Sequence, residues 1–207
     1  MYPRIKICGI TRPEDGMEAA RLGADAIGLV FYEKSPRNVS LEQARTIVRA
    51  LPPFVSVVAL FVNPDEAFVR RVLDACPVDI LQFHGEESPT FCRSFSRPYL
   101  KAVRVRPGVD LLEWAAAYHD ARGLLADAFV EGAHGGTGAV FDWTLLPPGL
   151  PLPLILSGGL TPDNVQQAVA KVHPAAVDVS SGVESSKGIK DAAKMAAFIS
   201  GVKHGSV

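Results

Sequence analysis

Arg4-Ile5-Lys6-Ile7-Cys8-Gly9 alternates basic and apolar residues and ends in a thiol and a glycine. Such a run reads as a short β-strand. Thr11-Arg12-Pro13-Glu14 follows at once. Thr11 is a good helix N-cap, Pro13 suits a first helical turn, and Glu14 stands where a capping box needs its acid. The stretch predicts a strand that passes directly into a helix, with a cysteine at the strand's C-terminal end. In parallel α/β folds that end of the strand carries the chemistry. By itself Cys8 reads as a small buried hydrophobe, the common fate of a free cysteine. What stands at the other strand ends changes that reading.

The same cycle of strand, turn and helix repeats along the chain. Strands are predicted at Asp25 to Phe31, Phe54 to Val62, Val78 to Phe83, Tyr99 to Val105, Gly123 to Ala128, Leu154 to Ser157 and Ala175 to Ser180. Between them lie helix-period stretches. Ser40 caps one of these with Gln43 at the capping-box position. Asn63-Pro64 and Thr161-Pro162 are expected to open two more, and the last helix is expected from about Gly188 to Ile199. Phe54 to Val62 is nearly all apolar, as a strand covered on both faces should be. Pro147 to Pro153 reads as a helix stop before a strand rather than a linker. Eight strand-helix cycles predict an α/β fold of the (β/α)8 TIM-barrel type, one domain spanning 1–207. An open doubly wound sheet is the alternative, but no GxGxxG follows the first strand.

Composition narrows the function. The 207 residues are 48% hydrophobic and 21% charged, with a formal net charge of -1. That balance suits a soluble globular domain and gives no electrostatic case for nucleic acid or an anionic membrane. No apolar run reaches membrane-spanning length, and MYPRIKICG lacks a signal-peptide core, so a cytoplasmic protein is expected. Cys8, Cys76 and Cys92 are odd in number, widely spaced and form no CxxC, which argues against a disulfide framework or a zinc site.

The predicted strand ends bring Cys8, Arg37, His84, Asp127, Gly158-Gly159 and Ser180-Ser181-Gly182 to one mouth. The last two strands both end in glycine- and serine-rich turns ahead of helix starts. Backbone N–H groups there can surround a phosphate, and helix N-termini favour its charge. A thiol and a carboxylate on different sides of the mouth can work as base and acid on a small substrate.

Six ordered motifs carry a family resemblance: KICG at 6–9, SPR at 35–37, QFHGEE at 82–87, GGTGAVFDW at 135–143, SGGLTPDNV at 157–165 and VDVSSGVE at 177–184. Together they resemble the phosphoribosylanthranilate isomerases of tryptophan biosynthesis, over nearly the whole chain. The resemblance implies an Amadori rearrangement of a phosphosugar. It implies Asp127 as general acid toward the ring oxygen and Cys8 as general base at C2. It implies Arg37 as the contact for the anthranilate carboxylate and a phosphate cradle that includes Gly136. Base chemistry needs thiolate, so the setting of Cys8 should assist its ionisation. No metal or redox cofactor is called for, because only protons move. His84 is expected as a wall or hydrogen-bond partner, and Asp178 as either an orienting group or a structural one. His134 lies in a loop that either covers the substrate or is exposed. Phe31, Phe83 and Phe129 are possible walls for the aromatic ring, with core packing the default. The expected partner is a small phosphosugar, and the chain is expected as monomer or homodimer. A metal-dependent epimerase would need more histidines at strand ends, and a non-catalytic phosphate-binding barrel would bind without turnover.

Overall fold

The computed structural model describes residues 2–128 and 142–205. The elements alternate as predicted: β1 Arg4–Cys8, α1 Pro13–Leu22, β2 Ala26–Phe31, α2 Leu41–Ala50, β3 Ser56–Phe61, α3 Glu66–Ala75, β4 Ile80–Phe83, α4 Pro89–Arg93, β5 Tyr99–Val105, α5 Leu111–Ala117, β6 Gly123–Ala128, β7 Leu154–Leu156, α6 Val165–Val172 and β8 Ala176–Val179. A two-stranded hairpin, β9 Glu184–Ser186 and β10 Ile189–Lys190, precedes the last helix, α7 Ala192–His204. Strands β1 to β8 close in sequence order into a barrel. Each pairs in parallel with the next, and β8 returns to β1 with Lys6 opposite Asp178.

Strand alternation sorts the side chains into two sets. Outward residues such as Ile5, Ile7, Ile27, Leu29, Phe61 and Phe83 are buried beneath the helices. Inward residues fill the barrel in layers. Leu100, Ala102, Leu125 and Ile155 pack with Ile80 and Ala176, and Cys8 packs with Val30, Leu60 and Val62 nearer the mouth. Gly28 is the inward residue beside Cys8. A Cβ there would lie 2.7 Å from the Cys8 sulfur and 3.1 Å from Cε of Lys6. A glycine on β2 thus makes room for the Lys6 and Cys8 side chains of β1.

One buried charge pair fixes the turn after β4. The Lys101 ammonium lies 2.8 Å from Glu87 and donates to the Gly85 carbonyl at 2.6 Å. Glu87 also accepts from the backbone N–H of Asn63 at 2.8 Å and of Gly85 at 3.0 Å. Neither member of the pair reaches solvent to any extent. Removing one partner of such a pair strands the other's charge and costs about 3–5 kcal/mol. The pair holds the segment that presents His84.

Several expectations need correction. Thr11 does not cap α1. Its hydroxyl donates to the Gly188 carbonyl at 2.5 Å, and the N-cap is Arg12, without a side-chain cap. The caps of α3 and α6 are Asp65 and Asn164 rather than the Asn63-Pro64 and Thr161-Pro162 pairs. Ser40 and Gln43 do form the reciprocal capping box. Strand β3 begins two residues later than expected, because Phe54 adopts φ 70 and projects fully into solvent. The last helix also begins later. Gly188, with φ 82, is in the β9–β10 turn instead. The chain from 184 to 190 has too few apolar residues to reveal a period. Between β6 and β7 the described residues hold one 3-10 turn, Trp143–Leu145, capped by Asp142, and a second, Ser181–Val183, follows β8.

Candidate active site

The C-terminal mouth of the barrel holds a cavity lined by Cys8, Arg37, His84, Asp127 and Asp178. The Ser157-Gly158-Gly159 and Ser180-Ser181 turns complete its wall. With Ser157 added and Gly182 absent from the lining, these are the described positions singled out in the sequence. Gly136, His134 and Phe129 lie outside the described residues.

Cys8 ends β1 on the inward face and is 5% exposed. Lys6, two residues earlier, shares that face. Its ammonium donates to Asp178 at 2.7 Å. Asp178 also accepts from the Ser157 hydroxyl at 3.2 Å. Burial pulls the Lys6 pKa down, but the attraction of Asp178 and Cys8 outweighs it and holds the group above its ordinary value. Lys6 is therefore a cation beneath the thiol. Burial is the largest influence on Cys8 and pushes the thiol up; the Lys6 charge and hydrogen bond pull it back, while Asp178 adds to the rise. The net direction is upward, so Lys6 limits the cost of making the thiolate without abolishing it.

Asp127 stands near the end of β6, 3% exposed. One carboxylate oxygen lies 2.9 Å from Nε2 of His84, and the other accepts from the Ala128 N–H at 3.0 Å. His84 follows β4 directly, and its Nδ1 lies 3.1 Å from Nε2 of Gln82 on the same inward face. His84 is thus a partner of the carboxylate as well as a wall of the cavity.

Arg37 reaches the cavity from the loop after β2, but its fork is engaged. Nε and one terminal nitrogen donate to Glu184 at 2.7 and 2.8 Å, a buried bidentate pair. Lys190 lies 2.9 Å from the same carboxylate. Burial alone would raise the Glu184 carboxyl, but Arg37 and Lys190 outweigh it and hold it below the usual range. Two cations around one carboxylate leave an excess positive charge at the wall, which suits an anion. Sequence reading missed Lys6, Gln82, Glu184 and Lys190. Strand alternation could have flagged Lys6 and Gln82, at i−2 from Cys8 and His84.

The two glycine- and serine-rich turns meet. Gly158 and Gly159 both have positive φ, 78 and 65. A side chain at Gly158 would collide with the Ala128 backbone, and one at Gly182 with the Leu160 carbonyl. The N–H groups of Gly158, Gly159 and Ser181 have no hydrogen-bond acceptor among the described residues. Phe31 and Phe83 do not line this cavity. Both point outward, Phe31 stacked on Phe61 at 5.6 Å and Phe83 on Phe95 at 5.9 Å. Val30, Tyr32, Leu60 and Val62 supply the apolar wall instead. Cys76 and Cys92 are buried away from it, and burial pushes the Cys92 thiol up to about 12. No group of three or more His, Cys, Asp or Glu among the described residues could hold a metal ion. No helix among them is long and apolar enough to cross a membrane.

Comparison with known proteins gives the geometry a family. Residues 5–201 match the family model for N-(5'phosphoribosyl)anthranilate (PRA) isomerase. The chain is 62% identical over 200 residues to N-(5'-phosphoribosyl)anthranilate isomerase of Pseudomonas aeruginosa (strain LESB58), covering 97% of this chain and 95% of that one. It is 60% identical over 203 residues to the enzyme of the same name from Dechloromonas aromatica (strain RCB), covering 98% and 97%. The crystal structure of phosphoribosyl anthranilate isomerase from Thermotoga maritima superposes with a TM-score of 0.89 at 42% identity, over 97% of this chain and 98% of that one. A related structure, TM-score 0.86 at 41% identity over 97% and 98%, is a complex with reduced 1-(o-carboxyphenylamino)-1-deoxyribulose 5-phosphate. Another, TM-score 0.86 at 40% identity with the same coverage, is a monomer generated from the dimeric Thermotoga maritima protein. On sequence and fold, the chain belongs to the N-(5'-phosphoribosyl)anthranilate isomerase family.

Proposed function

We propose that the chain catalyses the Amadori rearrangement of N-(5-phosphoribosyl)anthranilate to 1-(2-carboxyphenylamino)-1-deoxyribulose 5-phosphate, a step of tryptophan biosynthesis. The observation that carries this reading is the meeting, in one cavity, of a thiol, a carboxylate, an arginine and two glycine-serine turns. The N–H groups of Gly158, Gly159 and Ser181, without an acceptor among the described residues, suit the substrate phosphate, with Ser180 and Gly182 shaping the same cradle. The Arg37 cluster suits the anthranilate carboxylate.

The chemistry follows from these roles. Asp127 gives a proton to the furanose ring oxygen as the C1–O bond breaks, and the nitrogen lone pair forms a C1–N double bond. The Cys8 thiolate takes the C2 proton, and the freed electron pair neutralises the iminium as an enolamine. C1 then gains a proton while the C2 hydroxyl loses one, leaving the ketone. Protons balance over the cycle and no electrons leave the substrate, so neither metal nor redox cofactor enters the scheme. The direct test is genetic. The chain should restore growth without tryptophan to a bacterial strain lacking this isomerase. Absence of growth with the folded protein present would overturn the reading.

Lys6 supplies a second test. Its charge favours the thiolate, so Lys6→Met should raise the Cys8 pKa further and lower the thiolate fraction at neutral pH. The deficit in kcat/KM should be about tenfold for each unit of that rise. It should close as pH climbs past the variant's thiol pKa, where both proteins are fully ionised. A deficit that stays equal up to a pH above the thiol pKa measured for the variant would contradict the assignment.

The fully exposed Phe54 lies beside an apolar hollow at the opposite end of the barrel, lined by Ile5, Val58, Ile80, Leu100 and Ile155. That pairing of a projecting ring and a hollow on one face favours a homodimer over a monomer. Sedimentation should show a dimer that Phe54→Ser converts to monomer. A monomeric wild type at micromolar concentration would exclude it.

A further inference from the structure

Gln82 has a place in the site that the reaction scheme leaves unexplained. It is an inward residue of β4 with no solvent exposure. Its Nε2 meets Nδ1 of His84, yet its Oε1 has no hydrogen-bond partner among the described residues. A buried carbonyl without a donor is uncommon and costly. Its ladder partners on β3 and β5 are Leu60 and Leu100, beside which a leucine or methionine would carry no such cost, so the amide calls for a reason.

The chain of contacts Gln82–His84–Asp127 provides one. With Gln82 donating from Nε2, Nδ1 of His84 must be a lone pair. The ring then carries its hydrogen on Nε2 and donates to an Asp127 carboxylate, whose other oxygen already accepts from the Ala128 N–H. This arrangement suits Asp127 after it has given its proton away. A half-turn of the Gln82 amide exchanges its oxygen and nitrogen with little other movement. The oxygen then accepts from Nδ1–H. The Nε2···Oδ2 contact is left to hold one more proton, shared between ring and carboxyl. That arrangement suits the acid before the reaction. Each amide orientation matches one protonation state of the pair.

We propose that Gln82 is a positioning residue for the acid step, its reversible amide setting the His84 tautomer and so letting the His84–Asp127 pair hold and release the proton destined for the ring oxygen. The role rests on the reading of Asp127 as the acid. No bond to carbon is involved, and the proton balance of the reaction is unchanged. The other ionisable groups around the pair are Cys8, Arg37 and Asp178 on the cavity side. Glu86, Arg104 and Arg106 flank it on the β4–β5 side, with Arg104 paired to Glu86 at 3.0 Å. None of them touches Nδ1 of His84, so Gln82 alone answers to that nitrogen among the described residues.

Gln82→Met keeps the bulk and removes both the donor and the acceptor. Both forms of the pair lose a hydrogen bond at Nδ1, but the one to the proton-holding, charge-sharing ring is the stronger, so the pair's proton affinity falls by up to about one pH unit. Toward the alkaline end of the activity profile kcat/KM should fall by up to about tenfold, and the deficit should shrink toward none as pH drops. KM should change little. A loss of equal size at every pH would be the mark of a merely structural residue and would overturn the proposal. The wild-type protein gives an independent reading by nitrogen-15 NMR of His84. The Nε2–H tautomer should dominate at high pH, with Nδ1 gaining its hydrogen as the pair takes up its proton. One unchanged tautomer across the titration would also overturn it. These shifts are read without turnover, so an error about the reaction and an error about Gln82 give different results.

Discussion

Cys8→Ser should lower turnover by about a hundred- to ten-thousand-fold, the range for removing a positioned general base. A serine hydroxyl nearly matches the thiol in size, so the packing of Cys8 with Val30, Leu60 and Val62 should survive. What it lacks is an accessible anion. The Cys8 thiol is already held above its ordinary pKa by burial, and the Lys6 ammonium recovers part of that loss. No cation of that strength could ionise an alcohol near neutral pH. The variant should still bind the reduced product analogue with near-normal affinity, because the groups proposed to hold its carboxylate and phosphate lie elsewhere in the cavity. Measured kcat with calorimetric titration of the analogue separates the two. Undiminished turnover would remove Cys8 from the base role.

Asp127→Asn should cost a similar factor for the opposite reason. An amide keeps the shape and can still meet His84, but it has no transferable acidic proton. Ring opening would then depend on water or on His84 itself. Asp127 is buried, and its two oxygens are each engaged. The substitution should leave the thermal midpoint within a few degrees, since one hydrogen bond is worth about 1 kcal/mol. Activity and melting temperature must be measured together. A loss of activity that follows a collapse in stability would speak for a structural aspartate, and normal activity in a stable variant would assign the acid elsewhere. The contrast with Lys6→Met and Gln82→Met is diagnostic. Those variants tune the base or the acid and should recover at one end of the pH range, whereas Cys8→Ser and Asp127→Asn should not recover at either.

The barrel was legible because its strands announce themselves. Runs such as VVALF and GLLADA are buried on both faces, and capped helices separate the strands, one of them with the reciprocal Ser40-Gln43 box. The strand-end residues were legible for the same reason, since topology alone sends them to one mouth. Local endings were not. Thr11 looked like a cap, but its hydroxyl is taken by Gly188 from far along the chain. The β9–β10 hairpin was hidden because Glu184-Ser185-Ser186-Lys187 has no hydrophobic period. With it went Glu184 and Lys190, the groups that hold Arg37. Phe31 and Phe83 follow the default of core packing, since alternation places them under the helices with Phe61 and Phe95. Lys6 shows the converse. A buried lysine runs against expectation, and its meaning appears only when Asp178 is seen 2.7 Å away, across the closure between β8 and β1.

The most direct test of the central claim is turnover by the unmodified protein. N-(5-phosphoribosyl)anthranilate, generated in place from anthranilate and phosphoribosyl pyrophosphate, is fluorescent, and its disappearance can be followed continuously. The account predicts rapid loss of fluorescence in proportion to added protein, with the deoxyribulose phosphate as product. Loss no faster than the uncatalysed background, from a folded protein that still binds the reduced product analogue, would contradict it and leave a binding barrel in place of an enzyme.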